Sequence, residues 1–197
     1  MSTPQIVALA VAALAVFWAI GAYNRLVRLR NAIANAYAQI DVQLKRRHDL
    51  IPNIVEVARR YLQHEQETLE RVSAARGQAR AAADIARSQP TAAGALGSLA
   101  LAEGVLDGAM SKLMAVVEAY PDLKADAQMR ELSEELTSTE NKVAFARQLF
   151  NDAVLDYNNA AQQVPTNIVA AIGGFHQAAM LQATQSPAER EPVRVAF

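Results

Sequence analysis

The first stretch of the chain has no alternation between apolar and polar positions. No side chain from Met1 to Asn24 is charged, and Ile6 to Tyr23 (IVALAVAALAVFWAIGAY) is 18 residues of almost purely apolar character. As a helix this run is about 27 Å long, close to the hydrocarbon thickness of a bilayer. Trp18 and Tyr23 stand toward its C-terminal end, where aromatic rings settle at a membrane–water boundary. Ala19-Ile20-Gly21 loosely resembles a small-residue cleavage site, but the basic n-region of a signal peptide is missing. A buried core helix would not lack charge over so long a run. The pattern predicts an uncleaved membrane anchor over residues 1–24.

Beyond Asn24 the apolar positions fall into three-four spacing. Leu29, Ile33, Tyr37, Ile40 and Leu44 form one stripe, which resumes as Ile51, Ile54, Ala58 and Tyr61. Leu62, Leu69 and Val72 carry a neighbouring stripe further. This is the helical period. Pro52 interrupts it, either kinking one long helix or opening a new one capped by Asp49; a kink is favoured, because no glycine or polar loop surrounds it. The first clear break is Ser88-Gln89-Pro90-Thr91-Ala92-Ala93-Gly94. A second helix carries Leu99, Ala102, Leu106, Ala109, Leu113, Val116 and Tyr120, and Pro121 ends it. A third has the most regular heptad, coiled-coil-like, from Met129, Leu132 and Leu136 through Val143 and Phe150 to Tyr157. Val164-Pro165-Thr166-Asn167 breaks it, and a short fourth helix is expected from about Ile168 to Gln182. The expected fold is all-α. An N-terminal transmembrane helix leads into an antiparallel up-and-down four-helix bundle with a long first helix, residues 25–185, and then an extended or mobile tail, residues 186–197.

Composition supports long helices. Of 197 residues 41 are alanine, against 8 glycines and 7 prolines. The absence of cysteine excludes disulfides, zinc–thiolate sites, iron–sulfur clusters and cysteine catalysis. A net charge of −1 argues against a dedicated nucleic-acid binder. The charge is nevertheless uneven: residues 25–87 carry a net +5 and residues 103–160 a net −6. A basic first helix is expected to pack beside acidic later ones. Its root, Arg25, Arg28 and Arg30, is also suited to anionic lipid headgroups. With Lys45, Arg46 and Arg47 these residues place the body in the cytoplasm and the short N-terminus outside, as the positive-inside rule requires.

No catalytic pattern emerges. No Glu is followed by His three residues later, as a di-metal bundle would need, and neither a Gly-x-Ser-x-Gly elbow nor a phosphate-binding Gly-Lys-Ser/Thr loop is present. His48, His64 and His176 read as surface or helix-flank residues. The candidate polar site is Glu103, Glu140, Asn141 and Arg147, four groups on otherwise apolar helices. A polar network fixing helix register is favoured over a ligand pocket. No cofactor or metal is called for.

Several uncommon words in the sequence point to a family. Tyr23-Asn24-Arg25-Leu26-Val27, Gln39 to Arg47 (QIDVQLKRR), Asp49-Leu50-Ile51-Pro52-Asn53, Glu118 to Lys124 (EAYPDLK), Thr139-Glu140-Asn141, Tyr157-Asn158 and Pro165-Thr166-Asn167 together resemble the LemA family, over Tyr23 to about Phe175. The ending Gly173 to Ala179 departs from the bulkier Phe/Lys-rich pattern of that family. The resemblance implies an N-terminal transmembrane helix and an antiparallel four-helix body. It implies no established enzymatic activity and no catalytic residues, and a relative linked to membrane organisation suggests scaffolding. The expectation is a non-enzymatic scaffold or adaptor of the bacterial inner membrane. Its partners would be the membrane, a membrane protein and weakly its own copies, with Arg46, Arg47, Arg59 and Arg60 meeting Glu131, Glu134 and Glu135 of a neighbour or of the same subunit. The alternative is a ligand receptor or enzyme using the inter-helix polar pocket.

Overall fold

The computed structural model describes residues 2–181. Every regular element among them is helical: α1 (Thr3–Tyr61), α2 (Gln66–Ser88), α3 (Ala93–Ala119), α4 (Pro121–Ala125), α5 (Ala127–Gln162) and α6 (Thr166–Ile172). The expected tail, residues 186–197, lies outside the described residues.

α1 is one uninterrupted helix of 59 residues, about 88 Å long. Its first third stands clear of the rest of the molecule, with Ile6, Leu14 and Phe17 exposed by 54%, 70% and 74%. From Ala22 onward one stripe is buried: Leu26, Ile33, Tyr37, Ile40, Leu44, Ile51, Ile54 and Ala58. The helix runs through Pro52, so the proline does not start a new one. Proline has no N–H for the carbonyl four residues earlier, that of His48. That carbonyl finds another donor, because Arg76 Nε reaches across from α2. A helix-breaking residue is thus accommodated by a side chain from a different helix.

The expected long first helix does not continue past Tyr61. The chain turns at Leu62–Glu65, and α2 returns antiparallel, with Arg76 beside His48 and Arg87 forked onto Asp41 at 2.8 and 2.9 Å. Leu62, Leu69 and Val72 are all buried, but they belong to a turn and a second helix. No glycine or proline marks this reversal. It forms because a straight continuation would leave both stripes in water.

α5 packs along α1 in the opposite direction. Tyr61 Oη donates to Asp126 Oδ2 at 2.9 Å, and Tyr37 meets Phe150 edge-on with centroids 5.9 Å apart. Asp126 also caps α5, its Oδ1 accepting from the Met129 N–H at 3.0 Å. The Met129 N–H, followed by the Tyr61 hydroxyl, holds the Asp126 carboxyl below its ordinary value. α3 runs antiparallel against α2.

The fourth helix is shorter than expected. α6 ends at Ile172, and residues 173–181 are not helical. Gly174 has φ +68°, and the Phe175 N–H closes back onto the Ala170 carbonyl at 2.9 Å, a glycine-terminated helix end. Gly173 has no room for a side chain, since an added Cβ would stand 2.7 Å from the Phe175 ring. From Phe175 the chain runs extended along α5. Phe175, Ala178 and Leu181, three residues apart, point inward. Two asparagines two turns apart on α5 hold it. Asn158 both donates to and accepts from the Ala178 backbone at 2.9 Å, and Asn151 does the same with Leu181 at 3.0 and 2.9 Å.

Candidate functional site

Arg47 and His48 occupy positions on α1 where the stripe spacing from Leu44 to Ile51 calls for apolar side chains. Both are buried, with 5% and 2% exposure, so the surface reading of His48 is corrected. Glu103 interrupts the α3 stripe in the same way, four residues after Leu99, and is 2% exposed. Arg47 Nη1 donates to Glu103 Oε2 at 2.6 Å, and His48 Nε2 donates to Glu103 Oε1 at 2.8 Å. Arg47 Nη2 reaches Asp107, one turn along α3, and Glu140 on α5 at 3.5 Å. One guanidinium therefore ties α1 to both α3 and α5.

The network divides the interior. On the side of the N-terminal apolar run lies a core containing Leu26, Tyr37, Leu44, Leu96, Leu99, Val143 and Phe150. On the distal side lies a second, with Ile51, Ile54, Val72, Leu106, Leu113, Met129 and Leu136. Buried charge is stable only when paired and hydrogen-bonded. Burial by itself would lower the Arg47 pKa, but the carboxylates of Asp107 and Glu103 outweigh it and raise it. Burial raises the carboxyl of Glu140, with Arg47 partly opposing.

A groove of about 560 Å³ opens over this network between α3 and α5, with Arg47, Asp107, Glu140, Asn141 and Arg147 among its walls. Of the four residues expected to form a polar site, Glu103 and Glu140 are joined through Arg47. Asn141 and Arg147 line the same groove without bonding to them. Burial lowers the Arg147 pKa, against the pull of Asp107 and Glu103, and its Nε is buried without a partner among the described residues. Arg47, His48 and Asp107 were missing from the expected set. The available signal was a charged pair standing in an apolar register on α1.

The remaining basic residues divide by position. Arg46, beside Arg47 but outward, pairs with Glu135 of the same subunit at 2.6 Å. Of the pairs expected within one subunit for this face, Arg46–Glu135 alone forms among the described residues, and Arg47 turns inward to Glu103 instead. Arg25, Arg28 and Arg30 are exposed just beyond the apolar run and make no ion pair among the described residues.

An all-helical body on a protruding apolar helix, with its buried charges committed to each other, defines the class. The LemA family model matches residues 36–197, and the chain belongs to the LemA family. Protein LemA of Metamycoplasma hominis is 25% identical over 166 residues, 84% of this chain and 71% of that protein. Magnetosome protein MamQ 2 of Paramagnetospirillum magneticum is 33% identical over 92 residues, 47% of this chain. Magnetosome protein MamQ of Magnetospirillum gryphiswaldense is 32% identical over 74 residues, 38% of this chain. The chain spans about a third of the length of these magnetosome relatives, 33% and 27%.

Proposed function

We propose that this chain is a non-catalytic, membrane-anchored scaffold: α1 inserts its first third into the bacterial inner membrane and carries the packed body on the cytoplasmic face. The single observation behind this reading is the continuity of α1. One helix leaves the apolar run from Ile6 to Gly21 standing clear of the body and then enters the core without a hinge, so a body on this helix is held at a set distance from the bilayer. The helix is long and apolar enough to cross a membrane. Arg25, Arg28 and Arg30 at the exit favour the cytoplasmic side and anionic headgroups. Scaffolding is supported by the use of the buried charges to tie helices together. The partners proposed are a membrane protein and, weakly, further copies of the chain, whose confinement to two dimensions strengthens shallow contacts.

The test is location and assembly together. The protein should stay in membranes through carbonate and high-salt washes. Protease should spare the body in intact spheroplasts and digest it in inverted vesicles; the reverse pattern would overturn the topology. Crosslinking in native membranes should capture copies or a membrane-protein partner.

A second reading, a ligand receptor, is favoured by the groove over Arg47 and the unpartnered Arg147 Nε. A receptor should show a thermal shift with small carboxylates or inorganic phosphate, lost in Arg147→Met. No shift across such a panel would remove it.

A further inference from the structure

α5 delivers the chain back to the level at which α1 leaves the apolar span. Its antiparallel pairing sets Asp126 beside Tyr61 and Phe150 beside Tyr37, which carries Val164 to the neighbourhood of Tyr23. The Tyr23 and Phe175 rings meet edge-on there, with centroids 5.2 Å apart, and α6 packs on α1. Thr166 and Ala170 form the buried side of α6. The opposite side carries Ile168 and Ile172, 59% and 84% exposed, and Val164, 80% exposed, stands in the turn that leads into α6. Between Asp156 and Glu189 the sequence has no Asp, Glu, Lys or Arg, the longest such stretch outside the apolar run at the N-terminus. Arg25, Arg28 and Arg30 stand exposed on the adjoining turns of α1.

Resting on the anchor reading above, we propose that Val164, Ile168 and Ile172 form an interfacial foot, seated in the headgroup–acyl boundary of the bilayer that α1 crosses. Continuity with the span selects this occupant: an uncharged apolar stripe at that height meets lipid before it meets any other surface. The foot gives the body a second attachment beside α1. A lone helix leaves the body free to rotate about its axis and tilt; a second attachment fixes which face of the groove looks along the membrane. An interfacial segment of this kind buries its apolar face while neighbouring arginines meet anionic headgroups.

The chain has no cysteine, so single cysteines report cleanly. Full-length Ile168→Cys and Ile172→Cys, labelled with an environment-sensitive fluorophore, are reconstituted in phosphatidylethanolamine–phosphatidylglycerol vesicles with brominated or ordinary acyl chains. Leu14→Cys reports the span. Leu101→Cys, 76% exposed and near the level of Arg47, reports the body about 36 Å further along α1. Bromine should quench the probes at 14, 168 and 172 and leave the probe at 101 unchanged. Ile168→Asp/Ile172→Asp with a probe at Val164→Cys should lose quenching at 164, and the same pair of changes should leave quenching at 14 intact. Quenching at 14 without quenching at 168 and 172 overturns the foot and leaves the anchor standing. Shielding at 168 and 172 that rises only with protein-to-lipid ratio also overturns it, because a second copy then covers the stripe. Absence of quenching at 14 defeats the anchor reading, and the foot with it.

Discussion

The two halves of the body bury similar stripes of α1 by different means. Distal to Arg47, α1 is covered by helices, with Ile51, Ile54 and Ala58 packed among Val72, Leu106, Leu113 and Leu136. Toward the N-terminal apolar run α2 and α3 supply only their ends, and beside Leu26 and Ile33 the core is completed by α5, by α6 and by the extended segment through Phe175, Ala178 and Leu181. A helix satisfies its own backbone and offers only side chains. An extended segment must have its backbone satisfied by the surface it lies on. Asn151 and Asn158 perform that task, each amide pairing with both the N–H and the C=O of one residue. The distal half is therefore held mainly by apolar contact, and the proximal half depends in addition on two side chains. Between them the Arg47 network joins α1, α3 and α5 where both apolar cores stop.

The largest way to break this comparison is at the boundary. Arg47→Met leaves Glu103 buried without its cation and should cost about 3–5 kcal/mol, seen as loss of helical signal from both halves in denaturation of the full chain in detergent. Adding Glu103→Gln should restore part of the loss, since the stranded charge is then gone. If the single change costs nothing, the network is not what joins the halves.

Asn158→Ala should separate the halves. It strands the N–H and C=O of Ala178, a loss of about 1–3 kcal/mol per unsatisfied group where water is excluded. Hydrogen exchange should rise through residues 175–181 while amides of α2 and α3 keep their protection. Uniform loosening would contradict the division. Arg76→Met acts on the other side, leaving the His48 carbonyl without a donor at the point where Pro52 supplies none. It should cost about 1 kcal/mol and raise exchange around residues 48–56 of α1, and Pro52→Ala in the same chain should cancel most of the defect.

The smallest effect belongs to Glu140. Its folded pKa is raised, so the stability it contributes is present below the ordinary glutamate value and is lost as pH rises through the folded one. Glu140→Gln should flatten the stability profile across that mildly acidic window and change stability at neutral pH by less than about 1 kcal/mol. An unchanged acid profile would place the titration elsewhere.

Much of this architecture is local and was legible from the residues. The apolar run on α1, the heptad of α5, the stripe of α3 and the break at Pro165 follow from side-chain period and from proline's missing donor, which act over a few residues. Glu103 was also visible, because a carboxylate in an apolar register is conspicuous on any helix, and Glu140 stood out beside the α5 stripe at Thr139. Other features needed residues far apart in sequence. The reversal at Leu62–Glu65 has no turn residue, and exists because two apolar stripes cover each other. α1 survives Pro52 because Arg76 on a different helix faces the His48 carbonyl. Arg47 and His48 read as part of a basic surface until Glu103, 56 and 55 residues away, takes both. The segment after Gly174 is extended because Asn151 and Asn158 accept its backbone from 30 and 20 residues away. Period and propensity set which stretches are helical; only packing decides where helices stop and which charges are buried, because both depend on partners that local sequence does not contain.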